Sequence, residues 1–160
     1  MNPCVIRSAL PSDAASAVTV LRASITQLCV IDHQNDPATL ERWLQNKTIP
    51  HFHQWLADPE NSVHVAEIET ELCGVGLLRK SGDLQLCYVQ PGRQRSGIGS
   101  SLLRVLEATA KEWGLNTVRL ISTATARTFY ERHGYLSTGE ESVPGFGVLR
   151  DYHYVKVLGA

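Results

Sequence analysis

The sequence predicts a mixed α/β fold: a central, mostly antiparallel sheet of about seven strands with helices on both faces. Three observations carry this reading. β-type runs at residues 63–68, 72–79 and 84–89 follow one another through tight connections around Thr70 and Ser81-Gly82-Asp83, the pattern of an antiparallel meander. A helix-period stretch then leads to another β-run at 118–121, a strand-helix-strand unit that requires a parallel, right-handed crossover. Near the N-terminus, apolar residues at helical spacing supply a layer for the sheet.

In chain order, residues 4–10 form a short strand closed by Pro11. Ser12 is the expected N-cap of a helix whose apolar face is Ala14, Ala17, Val18, Leu21, Ile25 and Leu28. Asp36-Pro37 signals a second start, Asp capping and Pro in the first helical position, with Leu40, Trp43 and Leu44 as the apolar side. Pro50 breaks that helix, and Phe52, Trp55 and Leu56 repeat the spacing until Asp58-Pro59. In the meander, Gly74 and Gly76 predict close approach of another backbone or a ligand to the middle strand.

A long helix follows, burying Ile98, Leu102, Val105, Leu106 and Trp113, pairing Glu107 with Lys111 on its wet side and stopping at Gly114. After the strand at 118–121, Ser122 or Thr123 caps a helix over 124–133, which Gly134 ends. Strands at 135–143 and 148–158 around the loop Pro144-Gly145-Phe146-Gly147 complete the order β-α-α-βββ-α-β-α-ββ.

With 160 residues, 43% of them hydrophobic, the chain is read as one domain over 1–160. Fifteen basic and sixteen acidic residues give a net charge of −1, which offers no field for nucleic acid or an anionic membrane. Cys4, Cys29, Cys73 and Cys87 form no C-x-x-C pair and read as free thiols of a reducing compartment. No apolar run reaches signal-peptide or membrane-spanning length, so the expected location is cytoplasmic.

Residues 87–113 read as a strand, a basic glycine-rich loop and a helix start, which together make an anion site: the first helical N–H groups lack intrahelical partners and the macrodipole is positive there. A Walker loop is excluded because no Gly-Lys pair occurs, and a dinucleotide fingerprint because Gly97-Ile98-Gly99-Ser100-Ser101-Leu102 lacks its third glycine. What remains is Gln94-Arg95-Ser96-Gly97-Ile98-Gly99, fitting Q/R-x-x-G-x-G/A after a strand ending Tyr88-Val89-x-Pro91. Downstream, Ala126-Arg127-Thr128-Phe129-Tyr130-Glu131-Arg132-His133-Gly134-Tyr135 fits A-x-x-F-Y-x-x-x-G-F/Y. The two motifs, in this order and spacing, resemble the GNAT superfamily of acyl-CoA-dependent N-acetyltransferases.

The resemblance implies a GNAT-like fold, acetyl-CoA as co-substrate and direct acetyl transfer to a primary amine of a small molecule or protein. It implies that the loop amides from Gln94, Arg95, Ser96, Gly97, Ile98, Gly99 and Ser100 hold pyrophosphate, with Arg93 and Arg95 adding charge. The pantetheine arm would pair with the backbone at Cys87, Tyr88 and Val89, between splayed fourth and fifth strands, and a backbone N–H near Tyr88 or Val89 would polarise the carbonyl. Thr123 and Ala126 would face the arm. Many relatives carry Asn at the position of Thr123, so this hydroxyl has the shorter reach. Tyr130 matches the family's general acid. A phenol of pKa about 10 donating to a thiolate of conjugate pKa about 8.5 is uphill by ~2 kcal/mol, which the site must offset.

A protonated amine needs a base, for which Glu67 stands first and Asp32, His33 and Glu140 are further candidates. His51 and His53 form an H-x-H pair without further ligands, so no metal is expected. The resemblance also implies a homodimer in contact through the last strands. A non-catalytic acyl-CoA sensor on the same scaffold is the alternative, and Tyr130 in register favours the enzyme.

Overall fold

The computed structural model describes residues 3–159. Its strands are β1 (Cys4–Ser8), β2 (Asn61–Ile68), β3 (Glu71–Arg79), β4 (Asp83–Val89), β5 (Thr117–Ser122), β6 (Leu136–Ser142) and β7 (Arg150–Val157). Its helices are α1 (Ala14–Leu28), α2 (Val30–His33), α3 (Pro37–Leu44), α4 (Ile49–Ala57), α5 (Ile98–Glu112) and α6 (Arg127–Arg132). The seven strands form one sheet in the order β1-β2-β3-β4-β5-β7-β6. All neighbours are antiparallel except β4 and β5, as the crossover through α5 demands.

Each face of the sheet has its own core. Leu21 of α1 and Phe52 of α4 pack on Val65, Val75 and Leu77, while Leu102 and Leu106 of α5 pack with Val118, Tyr135 and Tyr154 on the other side. Gly76 is where α5 presses closest: a Cβ there would lie 2.7 Å from Leu106 Cδ1. The close approach to the middle strand is made at Gly76 by side chains of α5, and at Gly74 by the side chains of Ala66 and Ile98 and, at 3.4 Å, by the Tyr88 carbonyl. No helix among the described residues is long and apolar enough to cross a membrane.

Several local expectations are corrected by contacts between distant segments. Ser12 does not cap α1. A 3-10 turn, Pro11–Asp13, comes first, and the Asp13 carboxylate accepts from the Leu10 amide at 2.7 Å and from Arg7 at 2.9 Å. Pro50 does not end the preceding helix, which stops at Leu44, but lies in the first turn of α4, where Thr48 is the N-cap, its hydroxyl accepting from the His51 amide. α3 begins as expected, with Asp36 accepting from the Thr39 amide ahead of Pro37.

Along α5, Leu103 and Ala110 are buried where Val105 and Trp113 were expected to be, the last two being half-buried. Glu107 turns inward, away from Lys111, accepting from Tyr135 Oη at 2.7 Å and Lys156 Nζ at 3.0 Å. The loop Pro144-Gly145-Phe146-Gly147 docks on α3: the Val148 amide donates to Thr39 Oγ1, and Arg42 lies 5.4 Å from the Phe146 ring centroid.

Candidate active site

β4 and β5 pair over two positions, Asp83 with Arg119 and Leu84 with Leu120, and then part. The cause lies in β4. Leu77 of β3 pairs with Leu86 while Leu78 pairs with Leu84, so Gln85 is an extra residue, a bulge that bends β4 away. From Gln85 to Val89 the strand has no β5 partner, and its outward N–H and C=O groups form an open edge inside the protein.

At the wide end of this split sits the glycine loop. Gly97 has φ 87° and precedes α5, whose first intrahelical bond runs from the Ser101 amide to the Gly97 carbonyl at 3.0 Å. The amides of Ile98, Gly99 and Ser100 thus face outward from the helix end. Arg95 has φ 67°, a left-handed conformation that costs a non-glycine residue energy, and its side chain reaches the cleft. Gly99 lets the loop approach α6: a Cβ there would stand 3.2 Å from the Phe129 ring.

The loop-side cavity, about 1010 Å³, brings together Cys87, Tyr88, Val89, Gln94, Arg95, Gly97, Gly99, Ser100, Thr123, Ala126 and Tyr130. Ser96 and Ile98 are not part of its lining. The Ser96 hydroxyl folds back onto the Arg93 carbonyl, and the Ile98 side chain is buried against Ala66 and Cys73. Arg93 is also turned away, holding Glu71 at 3.4 Å. Arg132, unnoticed in the sequence, stands at the cavity instead. His133 ties the loop to α6. Its Nδ1 faces the Phe129 carbonyl and therefore carries a proton, and in the neutral ring Nε2 accepts from Ser100 Oγ at 2.9 Å.

Tyr130 and Cys87 face each other from α6 and β4, their side chains hydrogen-bonded. Burial holds the Tyr130 phenol well above its ordinary range and pushes the Cys87 thiol up to about 12, so both keep their protons. Tyr88, one residue on, points to the other face and meets Trp43 of α3; its phenol is likewise raised by burial. Thr123 Oγ1 accepts from the Ala126 amide at 3.1 Å and so caps the turn before α6.

The base candidates fare differently. Glu67 is no part of the cleft: its carboxylate takes two bonds at 3.3 Å from Arg7, on the β1 side of the sheet. Asp32 is 6% exposed, and its carboxylate accepts from the Ala124 amide at 2.6 Å, the Thr125 amide at 3.2 Å and Thr125 Oγ1 at 2.6 Å. It is a brace between α2 and the turn before α6. His33 is buried and donates through Nε2 to the Ile25 and Thr26 carbonyls, and Glu140 sits exposed beside Arg150. His51 and His53 engage Thr48 Oγ1 and the Pro11 carbonyl. A different set, Glu141, Asp151 and His153, has ligand atoms within 4.8 Å of one another and could hold a cation.

Adjoining the loop-side cavity is a second one, about 660 Å³, walled by β4, β5 and β7, by Leu77 of β3, Thr138 of β6 and Trp55 of α4, and by the α3–α4 connection. The two cavities share Leu84, Gln85 and Ile121, where the strands part. His153 of β7, paired in register with Ile121, lines the second cavity and bonds Glu141 at 2.9 Å.

The split between the parallel strands β4 and β5 thus carries unpaired backbone groups along one lip and a glycine-rich helix start, favourable to anions, at its mouth. Comparison supplies the class. The sequence model of the Acetyltransferase (GNAT) domain matches residues 29–148, and the chain belongs to this family of acetyl-transferring enzymes.

Among relatives, the amino-acid acetyltransferase of Pseudomonas putida is 37% identical over 65 residues, 41% of this chain and 15% of that protein. The chain therefore corresponds to a small part of that relative's length. An uncharacterized N-acetyltransferase of Mycobacterium tuberculosis is 26% identical over 119 residues, 70% of this chain and 76% of that one. The crystal structure of a GCN5-related N-acetyltransferase from Rhodopseudomonas palustris shares the fold at TM-score 0.88 and 23% identity, covering 99% of this chain and 98% of that one. That of PaiA N-acetyltransferase from Thermoplasma acidophilum, in complex with coenzyme A, shares it at TM-score 0.79 and 18% identity, over 98% and 99% of the two chains.

Proposed function

We propose that this enzyme moves the acetyl group of acetyl-CoA directly to a primary amine that enters through the second cavity. The observation that carries the reading is the meeting of the two cavities at Leu84, Gln85 and Ile121: carrier and acceptor can reach one another there without a covalent enzyme intermediate. The residues present fit coenzyme A. The outward amides of Ile98, Gly99 and Ser100, with Arg95 and Arg132 at the cavity, suit its pyrophosphate, and the open edge of β4 suits the amides of its pantetheine arm. When bound, it supplies the activated thioester.

In this reading one outward-facing backbone N–H of β4, at Tyr88 or Val89, stabilises charge as it develops on the thioester oxygen. The nitrogen–carbon bond forms as the carbon–sulfur bond breaks. Starting from the ammonium, two protons leave nitrogen, one before attack and one as the amide forms, while one proton reaches sulfur and the other passes to solvent. We assign the first transfer to His153, whose bond to Glu141 fixes its ring at the acceptor cavity. Delivery to sulfur falls to Tyr130. Burial keeps the phenol protonated until the sulfur departs; its proton passes to the thiolate as the carbon–sulfur bond breaks, and the phenolate is reprotonated from solvent.

The test is isothermal titration with acetyl-CoA, followed by coenzyme A thiol release over an amine panel, for the wild type and His153→Gln. Binding and turnover in the wild type are expected, with turnover about tenfold lower in the variant at unchanged acetyl-CoA affinity. A wild type that does not bind acetyl-CoA removes the whole reading. A variant with full turnover removes only the base.

A further inference from the structure

The charges lining the acceptor-side cavity come from few side chains. Arg119 and Asp83 neutralise one another at 3.4 Å, and His153 is bonded to Glu141. Lys47, on the connection between α3 and α4, stands apart. It is 7% exposed, its ammonium donates to Asn46 Oδ1 at 2.5 Å and to the Trp43 carbonyl at 3.5 Å, and no ion pair reaches it among the described residues. Burial alone acts on it, lowering its pKa to about 8.

A buried ammonium without a counter-charge is a cost to the fold, and an apolar side chain of the same length would pack there more cheaply. The neighbouring cation differs: Arg22 is exposed and reaches the Leu44 and Lys47 carbonyls. Lys47 has two neutral oxygens as partners and opens onto a cavity of about 660 Å³. What its environment lacks is an anion, and the cavity is where one can arrive.

We propose that Lys47 is the anion anchor of the acceptor site, so that the amine acetylated by this enzyme carries a carboxylate at its other end. The inference rests on the acetyltransferase reading and adds to it a substrate class, the amino carboxylates. The arrangement orients as well as attracts. Gln85, Ile121 and His153 mark the end of the cavity where the strands part and the thioester can be met, while Lys47 comes from the helical wall. A zwitterion bound with its carboxylate on Lys47 has its ammonium left to face the end that holds His153 and, behind it, Glu141 and Asp151, whose negative charges favour that polarity. A neutral amine gains nothing from the lysine, and a diamine is repelled by it.

The experiment is steady-state acetylation of L-α-amino acids and ω-amino acids of two to six carbons, each beside its matched carboxamide, by wild type, Lys47→Met and Lys47→Arg. For the wild type, kcat/KM is expected to favour at least one carboxylate over its amide by about ten- to hundredfold, the discrimination given by one hydrogen-bonded charge pair. In Lys47→Met the preference is lost through a higher KM for the carboxylate, kcat staying near that of the wild type. Lys47→Arg retains part of the preference.

A second readout needs no variant: carboxylates of matched length without the amine should inhibit competitively against the acceptor, and their methyl esters should not. Equal use of acid and amide by the wild type, a preference that survives in Lys47→Met, or no turnover of any carboxylate by protein that binds acetyl-CoA each overturns the proposal. Protein that fails to bind acetyl-CoA overturns the underlying reading instead, so the two failures are told apart in the same preparation.

Discussion

On the glycine-loop side of the split, the cavity is lined mainly by two stretches, residues 87–100 and 121–133, with the end of α1, Cys29 and Leu84–Gln85 of β4 closing the rest. On the far side, the lining comes from α4, from the connection before it and from five strands, in runs of four residues at most. The first wall is a local device: a helix start, its glycines and the aromatic helix that abuts them. The second exists only once the sheet has formed. Binding of a common carrier can be written into a short motif, whereas selection of an acceptor is distributed over positions that no motif joins.

The comparison can be broken most forcefully at the loop. Gly99→Leu drives a branched side chain toward Phe129 and into the mouth of the cleft. Acetyl-CoA affinity should fall by about a thousandfold, as several charge-assisted bonds to pyrophosphate are lost together. Titration calorimetry checks this, and an acceptor-site inhibitor that still binds would show the far wall to be independent. Tyr130→Phe is next. Turnover should drop about a hundredfold with acetyl-CoA affinity within a factor of two. Equal turnover removes the acid.

Asp32→Ala tests what joins the two sides, because this buried carboxylate serves three donors of the turn before α6. Chemical denaturation should show a loss of about 3 kcal/mol, and Asp32→Asn should recover part of it.

The smallest effect is on Lys47, and its sign is opposite. Its folded pKa of about 8 lies below the ordinary 10.5, so between those pH values the unfolded chain binds more protons and this residue's contribution to stability rises with pH. Lys47→Met should therefore be more stable than wild type by about 2 kcal/mol at pH 7, and the advantage should shrink from pH 8 to pH 10.5. An advantage independent of pH would mean that the ammonium is not what the fold finds costly.

What could be read from the sequence follows the same division. The seven strands, the longer helices, the loop at Gln94 to Gly99 and the position of Tyr130 are properties of contiguous residues, and periodicity or a motif reports them; the short α2 (Val30–His33) is not among them. Periodicity could not report which faces meet. Asp32 looked like a solvent-facing base because its partners lie 92 and 93 residues away. Glu107 has the spacing of a helix-surface pair with Lys111, yet Tyr135 and Lys156 draw it inward. Glu67 is acidic on a meander strand, and only the pairing of β1 with β2 puts Arg7 beside it. The bulge at Gln85 left no mark either, since an extra residue in one strand is defined by its neighbour's count. Ser12 shows the limit at short range: a residue typical of N-caps is displaced when the next one, Asp13, finds an arginine.

The order β5-β7-β6 bears on how the chain acquires its structure. β7 is last in sequence but interior in the sheet, between β5 on one side and β6 on the other. During synthesis, the outer edge of Thr117–Ser122 has no mate and Leu136–Ser142 has nothing to pair with until residues 150–157 emerge. The late contacts are also far apart along the chain, since Thr117 pairs with Val157, and such closures are slow. Until they form, β5 presents an unpaired edge, the kind of edge at which self-association competes with folding.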